Sequence, residues 1–281
     1  EKAGATGAFA DKTVANNKAG TISGLTLSGE DAGNYTVTDN SGATADITAK
    51  AITATGVTAS DKVYNANTTA TINTASASIT AGAATDDDKK YYTGDAVALE
   101  TAGATGAFAD KHAGIGKAVT VSGFTLSGED AGNYSVSDAS NATADITAKA
   151  ITVSGITASG KVYDAKTNAT TDVTNATGWI AGDSFSVSAT GLFDTKNVGT
   201  NKTVTLTSSY SGDDKGNYTI SDQATTQANI TPAPLTVTAG DASKTYGETI
   251  TFAGTEFTSN GLVGNETIGL VQLASAGAAA W

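Results

Sequence analysis

The sequence predicts an all-β chain, a tandem array of small β-sandwich-like or β-grasp-like modules strung into an elongated rod. Three observations carry that expectation. Short motifs recur in the same order along the 281 residues, the mark of a tandem repeat. Within each repeat, apolar residues alternate with Thr and Ser at a period of two, the spacing of a half-buried strand. Gly clusters break these runs at short intervals, where turns need them.

The repeat is legible motif by motif. SGEDAGNY at Ser28–Tyr35 returns at Ser127–Tyr134 and, as SGDDKGNY, at Ser211–Tyr218. AFADK at Ala8–Lys12 returns at Ala107–Lys111. ADITAKAIT at Ala45–Thr53 returns at Ala144–Thr152 and, more loosely, as ANITPAPLT at Ala228–Thr236. KVYN at Lys62–Asn65 matches KVYD at Lys161–Asp164, with KTYG at Lys244–Gly247 a distant echo. The order of these matches makes residues 1–49 the back part of a module, 50–148 and 149–232 two complete modules, and 233–281 the front part of a fourth. Copies of roughly 80–100 residues can each bury a modest core. The first complete copy is the longer because of extra residues around Thr85–Asp95 (TDDDKKYYTGD), a charged, turn-prone segment read as a surface loop or an added hairpin.

Two changes of parity refine the strands. Val119 and Val121 stand on odd positions, Phe124 and Leu126 on even ones. The switch falls at Ser122-Gly123, where a glycine bulge would return both pairs to the core face. Ser23-Gly24, ahead of Leu25 and Leu27, predicts the same. A second switch lies at the junctions, from Ile146 to Ile151 and Val153, from Ile47 to Ile52 and from Ile230 to Leu235. A strand that closes one core thereby turns its apolar face before opening the next. The Gly-Glu-Asp-Ala-Gly-Asn segment, with acids early and glycine late, reads as one helical turn. No flexible linker separates the copies, and the only prolines, Pro232 and Pro234, stiffen one junction. With strands rising ~3.3 Å per residue, each copy is expected to lengthen a semi-rigid rod by roughly 30–40 Å.

Composition excludes several classes. A net charge of −12 and the absence of arginine argue against nucleic-acid partners. There is no cysteine, hence no disulfide framework and no Cys-ligated metal. His112 is the single histidine, so a Ser–His–Asp triad has one possible base, and its counterparts in the other copies are Thr13 and Asn197. No apolar run reaches the ~18–20 residues of a membrane helix. No basic-then-apolar leader opens the given residues, so any secretion signal is expected outside them.

KVYN and KVYD after an AIT strand, the F-x-[DT]-K segment, the GNY turn and the closing ADIT-x-K together resemble the YDG-type repeats of filamentous-haemagglutinin-like adhesins. Residues 233–281, with PLTVTAGDASKTYGE from Pro234, look like the MBG domain of the YGX type found beside them. The tyrosine motifs Tyr64-Asn65-Ala66 and Tyr163-Asp164-Ala165 depart from the family by lacking its glycine. The resemblance covers essentially the whole chain. It implies a secreted protein at the bacterial cell surface, concerned with adhesion and biofilm, and often delivered by two-partner or related secretion.

Candidate chemistry is sparse. Tyr64, Tyr163 and Tyr246, Tyr35, Tyr134 and Tyr218, and Phe9, Phe108 and Phe193 recur at fixed places and are read as core anchors rather than sugar-stacking platforms. Tyr91, Tyr92 and Trp179 are less repetitive and are the ligand-binding candidates. Acidic clusters at Asp86-Asp87-Asp88, Glu129-Asp130 and Asp213-Asp214 are calcium candidates, although no D-x-D-x-D-G loop supports them; the plainer reading is solvated turns. Lys62 and Lys161 with Asn34, Asn133 and Asn217 supply the residues of Lys–Asn isopeptide bonds. The plainer reading leaves the lysine on a strand surface and the asparagine bonded within its turn. No carboxylate pair sits in a context that would raise one pKa, so no enzyme and no cofactor are expected. The expected role is a stalk that projects a binding region from the cell. Alternatives are a module that binds a host or matrix glycan or protein through its loops, and a fibre subunit that associates head to tail. The expected partners are thus neighbouring copies, not nucleic acid or a membrane.

Overall fold

A computed structural model describes residues 4–38, 42–83 and 88–279. Two compact units divide the chain, Glu1–Ala148 and Lys149–Trp281. Both are built of strands. Among the described residues helical structure is confined to three 3-10 turns, Ala32–Asn34, Ala131–Asn133 and Lys215–Asn217, one in each repeat of the Gly-Asn-Tyr motif.

Residues 50–148 are organised on a five-stranded sheet in the order Lys62–Val63, Thr143–Thr147, Gly114–Ser122, Thr105–Phe108, Thr69–Ala70. Its first pair is parallel and the rest are antiparallel. The opening strand Lys50–Ala54 stands outside this sheet and pairs in parallel with Tyr134–Asp138. Residues 149–232 repeat the plan with Lys161–Val162, Thr225–Thr231, Gly199–Ser211, Ser186–Phe193 and Asn168–Ala169. Here Lys149–Thr152 lies parallel to Tyr218–Ser221. A parallel pair needs a long crossover. In each copy the crossover is nearly the whole copy, so its first strand is closed by one of its last.

The period of two decides what is buried. Val119, Val121, Ala144 and Ile146 are buried, Phe108 is buried opposite Val119 on the next strand, and Ile52, Val57 and Tyr64 are buried in the same copy. Val204, Leu206, Ala228, Ile230 and Phe193 form the same set in the second unit, with Ile151, Val153 and Ile156. The junction switch is borne out at Ile146 and Ile151, which are both buried with only Ala148 between their strands.

The bulge at Gly123 is more than a one-residue slip. Its φ is +85°, and a Cβ there would overlap the carbonyl oxygen of Gly103 on the facing chain. The hairpin is interrupted on both sides, so that Thr105–Phe108 pairs with one stretch and Ala98–Glu100 with Thr125–Ser127. The copy at 149–232 has no residue at the position of Gly123. Its strand Gly199–Ser211 runs unbroken against Ser186–Phe193, and Val204, Leu206 and Tyr210 keep one parity. Phe124 and Leu126 end half-buried, so the interruption restores their face only in part.

Several expectations change. Ala84–Asp87, including the calcium candidates Asp86 and Asp87, lie outside the described residues. The described residues that bracket the extra segment meet in a parallel contact of Ala81–Gly82 with Tyr91–Tyr92, not in the antiparallel ladder of a hairpin. Of the six aromatic anchors in the complete copies, Tyr64, Phe108, Phe193, Tyr134 and Tyr218 are buried. Phe9, Tyr35 and Tyr246 are exposed, and Tyr163 is half-buried. Lys62 is not a strand-surface lysine. Its ammonium donates to the carbonyl oxygens of Asn67 and Thr69 at 2.7 and 2.9 Å and to Asn67 Oδ1 at 3.1 Å. Lys161 likewise binds the oxygens of Lys166 and Asn168. Each lysine ties down the loop after its K-V-Y motif and lies over a phenylalanine ring, Phe108 or Phe193. Burial pulls Lys62 below the usual lysine pKa.

Two further segments complete the units. In residues 4–47, Thr6–Phe9, Ala15–Ser23 and Thr44–Ile47 form an antiparallel three-stranded sheet. In residues 233–279, Thr236–Ala239 pairs with Phe257–Asn260.

Candidate functional site

The repeated S-G-[ED]-D-x-G-N-Y segment builds a clasp. In the first unit the Asp130 N–H donates to the Ala96 carbonyl at 3.2 Å, and the Ala96 N–H returns a bond to Asp130 Oδ2 at 3.0 Å. Gly128 permits the close approach: its φ is +109°, and a Cβ there would run into the oxygen of Ala96. After the 3-10 turn, the Tyr134 hydroxyl donates to Asp95 Oδ2 at 2.7 Å and accepts from the Tyr92 N–H at 3.0 Å. The second unit repeats every part. Ser184 N–H bonds Asp214 Oδ2 at 2.8 Å, Ile180 N–H bonds the Tyr218 hydroxyl at 3.1 Å, and Tyr218 donates to Asp183. One motif thus pins the loop ahead of the long hairpin onto the strand that closes the copy.

In the first unit this clasp is also a joint. Lys12, three residues after Phe9, extends its ammonium to Asp95 Oδ1 at 2.8 Å and to Asp130 Oδ1 at 3.4 Å. Val14 donates its N–H to Asn133 Oδ1 at 3.0 Å. Residues 4–47 are thereby fastened to the G-N-Y turn of residues 50–148, although the strands Thr44–Ile47 and Lys50–Ala54 are separated by two residues only. A cavity of about 170 Å³ lies in the joint, lined by Lys12, Val14, Ile47, Lys50, Tyr92 and Asp95 among others.

The charge pattern follows from these bonds. The Lys12 ammonium, and then the Tyr134 hydroxyl, hold the Asp95 carboxyl below the usual carboxylate range. The Asp95 bond raises Lys12. Burial first, and then the neighbouring carboxylate among other causes, raises Tyr134. A carboxyl depressed on folding contributes stability above its ordinary value of about 4, lost as pH falls through the lowered one. A raised lysine contributes below its ordinary value of about 10.4 and loses that above its folded one. The Lys12–Asp95 contact therefore works across neutral pH and opens at either extreme. Lys12→Gln is expected to move the Asp95 midpoint, followed by carboxyl NMR, upward toward that of a free aspartate. An unmoved midpoint contradicts the assignment.

The second unit carries a related contact. Lys196, three residues after Phe193, donates to Glu266 Oε1 at 3.0 Å, and the Tyr163 hydroxyl also donates to Glu266. Both bonds lower the Glu266 pKa, Tyr163 the more. Lys12 and Lys196 occupy the same place in F-x-[DT]-K, and each reaches forward to a carboxylate of the following segment.

The residues singled out from sequence fall around this site. Tyr92 is half-buried, its ring 4.1 Å from the Lys50 ammonium and edge-on to Tyr134 with centroids 6.3 Å apart. Tyr91 and Tyr92 stand where Trp179 and Ile180 stand in the other copy, since Tyr92 and Ile180 each donate to the clasp tyrosine. Trp179 stacks on Phe185 with centroids 4.7 Å apart, and Phe185 meets Tyr218 edge-on at 5.4 Å. Of the calcium candidates, Asp130 and Asp214 spend their oxygens on the clasp, while Glu129 and Asp213 point to solvent. Asn133 bonds within its own turn, its N–H donating to the Asp130 carbonyl at 3.0 Å, and its Oδ1 in addition accepts the Val14 N–H. Lys12, Asp95, Asp183 and Glu266 were not anticipated; the recurring lysine of F-x-[DT]-K was the signal for the first. Among the described residues no group of three or more His, Asp or Glu side chains is arranged to hold a metal.

A protein-family model described as the YDG domain matches residues 2–43, 48–143 and 147–227. No curated protein and no solved structure matches the chain.

Proposed function

This chain belongs to the YDG-domain family, which it carries three times in tandem, and from that premise we propose that its copies are spacers in the stalk of a secreted bacterial surface adhesin. In this reading they hold a binding region away from the cell and do no chemistry, with no cofactor and no calcium. Residues 233–281 are the front of an MBG-type module, and the protein works outside the cell. The observation that carries the proposal is the joint in the first unit. A lysine, a backbone N–H and a two-residue link fasten one copy to the clasp of the next, which limits their relative motion as a spacer requires. The acidic surface opposes non-specific association.

Small-angle scattering tests the reading. An elongated particle that shortens stepwise as copies are removed supports it, and a compact or freely jointed one overturns it. The rival is glycan or protein binding through Tyr91, Tyr92 and Trp179. It draws on the half-exposed rings at the matching positions Tyr91 and Trp179. Glycan-array binding lost on Trp179→Ala would favour that rival, whereas the spacer reading expects no array signal.

A further inference from the structure

We propose that each complete copy is a load-bearing element: tension along the chain slides its parallel terminal strands past one another and strains their whole ladder at once. This role rests on the spacer reading, since a stalk is pulled whenever the region it projects is held. Residues 50–148 show the geometry within one unit. The chain enters this copy along Lys50–Ala54, which pairs in parallel with Tyr134–Asp138 over five residues, from Lys50 opposite Tyr134 to Ala54 opposite Asp138. The Ala139 N–H donates to the Ala54 carbonyl at 2.8 Å and extends that ladder by one bond. The chain leaves along Thr143–Thr147, which is parallel to Lys62–Val63. There the Tyr64 N–H donates to the Thr147 carbonyl at 2.8 Å and holds the last residue of the strand.

Tyr134–Asp138 and Thr143–Thr147 run in one direction. Thr143–Thr147 is antiparallel to the arm Gly114–Ser122, with Gly114 opposite Ile146 and Ala118 opposite Thr143, and the Val119 N–H donates to Ala142. Further along the same arm, Val121 and Asp138 line one cavity, and Phe124, Leu126, Tyr134 and Val136 line another. The two stretches thus follow each other down one side of the arm, and the entering strand points the same way as both. Drawing Lys50 back and Thr147 forward therefore drives the parallel strands past each other lengthwise. The bonds of a parallel ladder are evenly spaced, and in this direction they share the load, whereas a ladder opened from one end breaks bond by bond. The second complete copy repeats the plan. Lys149–Thr152 is parallel to Tyr218–Ser221, with the Val153 N–H on Ser221 at 2.9 Å, and Lys161–Val162 is parallel to Thr225–Thr231, with the Tyr163 N–H on Thr231 at 2.9 Å. Only Ala148 separates the last strand of one copy from the first of the next, so no slack chain absorbs a pull between them.

The chain has no cysteine, so thiol handles can be placed in chosen pairs and the full chain pulled through them. A49C/A148C loads the copy along its strands. A49C/G132C puts both handles at the Lys50–Tyr134 end of the ladder and peels it from there. Ala49, Gly132 and Ala148 are exposed, and a Cβ at Gly132 meets nothing within 4 Å. In single-molecule force spectroscopy at one pulling speed, A49C/A148C is expected to rupture at a force higher by about twofold or more, since forced unfolding follows the unfolding barrier along the pulled direction. Each event should release roughly 300–350 Å of chain, which identifies it as the opening of a folded copy. Equal forces for the two pairs, or a weaker A49C/A148C, overturn the proposal. That result leaves the spacer reading standing, because scattering reads shape without load; a compact particle in scattering would instead remove the spacer reading whatever the forces.

Discussion

Phe193→Ala is expected to destabilise its copy by about 3–5 kcal/mol, the cost of deleting a buried phenylalanine and leaving a cavity. Phe193 is 3% exposed at the end of Ser186–Phe193, opposite Val204 and beneath the Lys161 ammonium, which sits 5.5 Å from its ring centroid. The surrounding strands are fixed by ladder bonds on both sides and cannot close around the gap. A domain's whole stability is only about 5–15 kcal/mol, so the variant copy would stand close to unfolding. The same substitution at Phe9, the equivalent motif position but 40% exposed, is expected to cost roughly 0.5–1 kcal/mol, near the range for surface changes. Urea unfolding followed by Trp179 emission reads the copy directly. The indole stacks on Phe185 within it, and a Trp281→Phe background leaves it as the single reporter. Equal costs at Phe9 and Phe193 would contradict the burial pattern.

That pair of variants shows where local pattern stops carrying information. Phe9 and Phe193 sit in the same motif, and nothing in the motif tells which is covered; burial depends on strands far away in sequence. What is local was legible. Alternation at Val119, Val121, Val204 and Leu206 marked the inward face, and the parity change at Ser122-Gly123 marked a break that the other copy, lacking that residue, does not have. Long-range pairing was not legible. Strand propensity is the same whether Lys50–Ala54 meets a sequence neighbour or, as here, Tyr134–Asp138 in parallel. The extent of the extra segment was misjudged for a related reason. Tyr91-Tyr92 and Trp179-Ile180 share no identity, and only their common bond to the clasp tyrosine shows that they are equivalent. The joint was half legible. A lysine recurring three residues after a phenylalanine announces a role, but Asp95 lies far along the chain from Lys12, and a loop acid can as readily face water.

Asp214→Ala is expected to cost about 2–6 kcal/mol, the combined penalty of the two buried donors it leaves unpaired. Asp214 and Asn217 are the two polar residues buried among those described, and both belong to the clasp. One Asp214 oxygen accepts the Ser184 N–H at 2.8 Å, and the other accepts the Asn217 amide at 3.1 Å. Removing the carboxylate strands these donors where water does not replace it, at about 1–3 kcal/mol for each orphan. Asp214→Asn separates charge from hydrogen bonding. Its one oxygen can still serve Ser184, while its NH2 opposes the Asn217 amide, so an intermediate loss is expected. Asp31→Ala provides the contrast. Asp31 opens the same turn, but it is exposed and bonds only weakly to Asn34, at 3.3 Å, and its removal is expected to fall within about 0.5 kcal/mol. Thermal unfolding of the three variants should therefore rank Asp214→Ala below Asp214→Asn and leave Asp31→Ala near the parent. If Asp214→Ala matched Asp31→Ala, the acids of this motif would be turn decoration, and the joint that binds Lys12 through the same clasp would lose its physical basis.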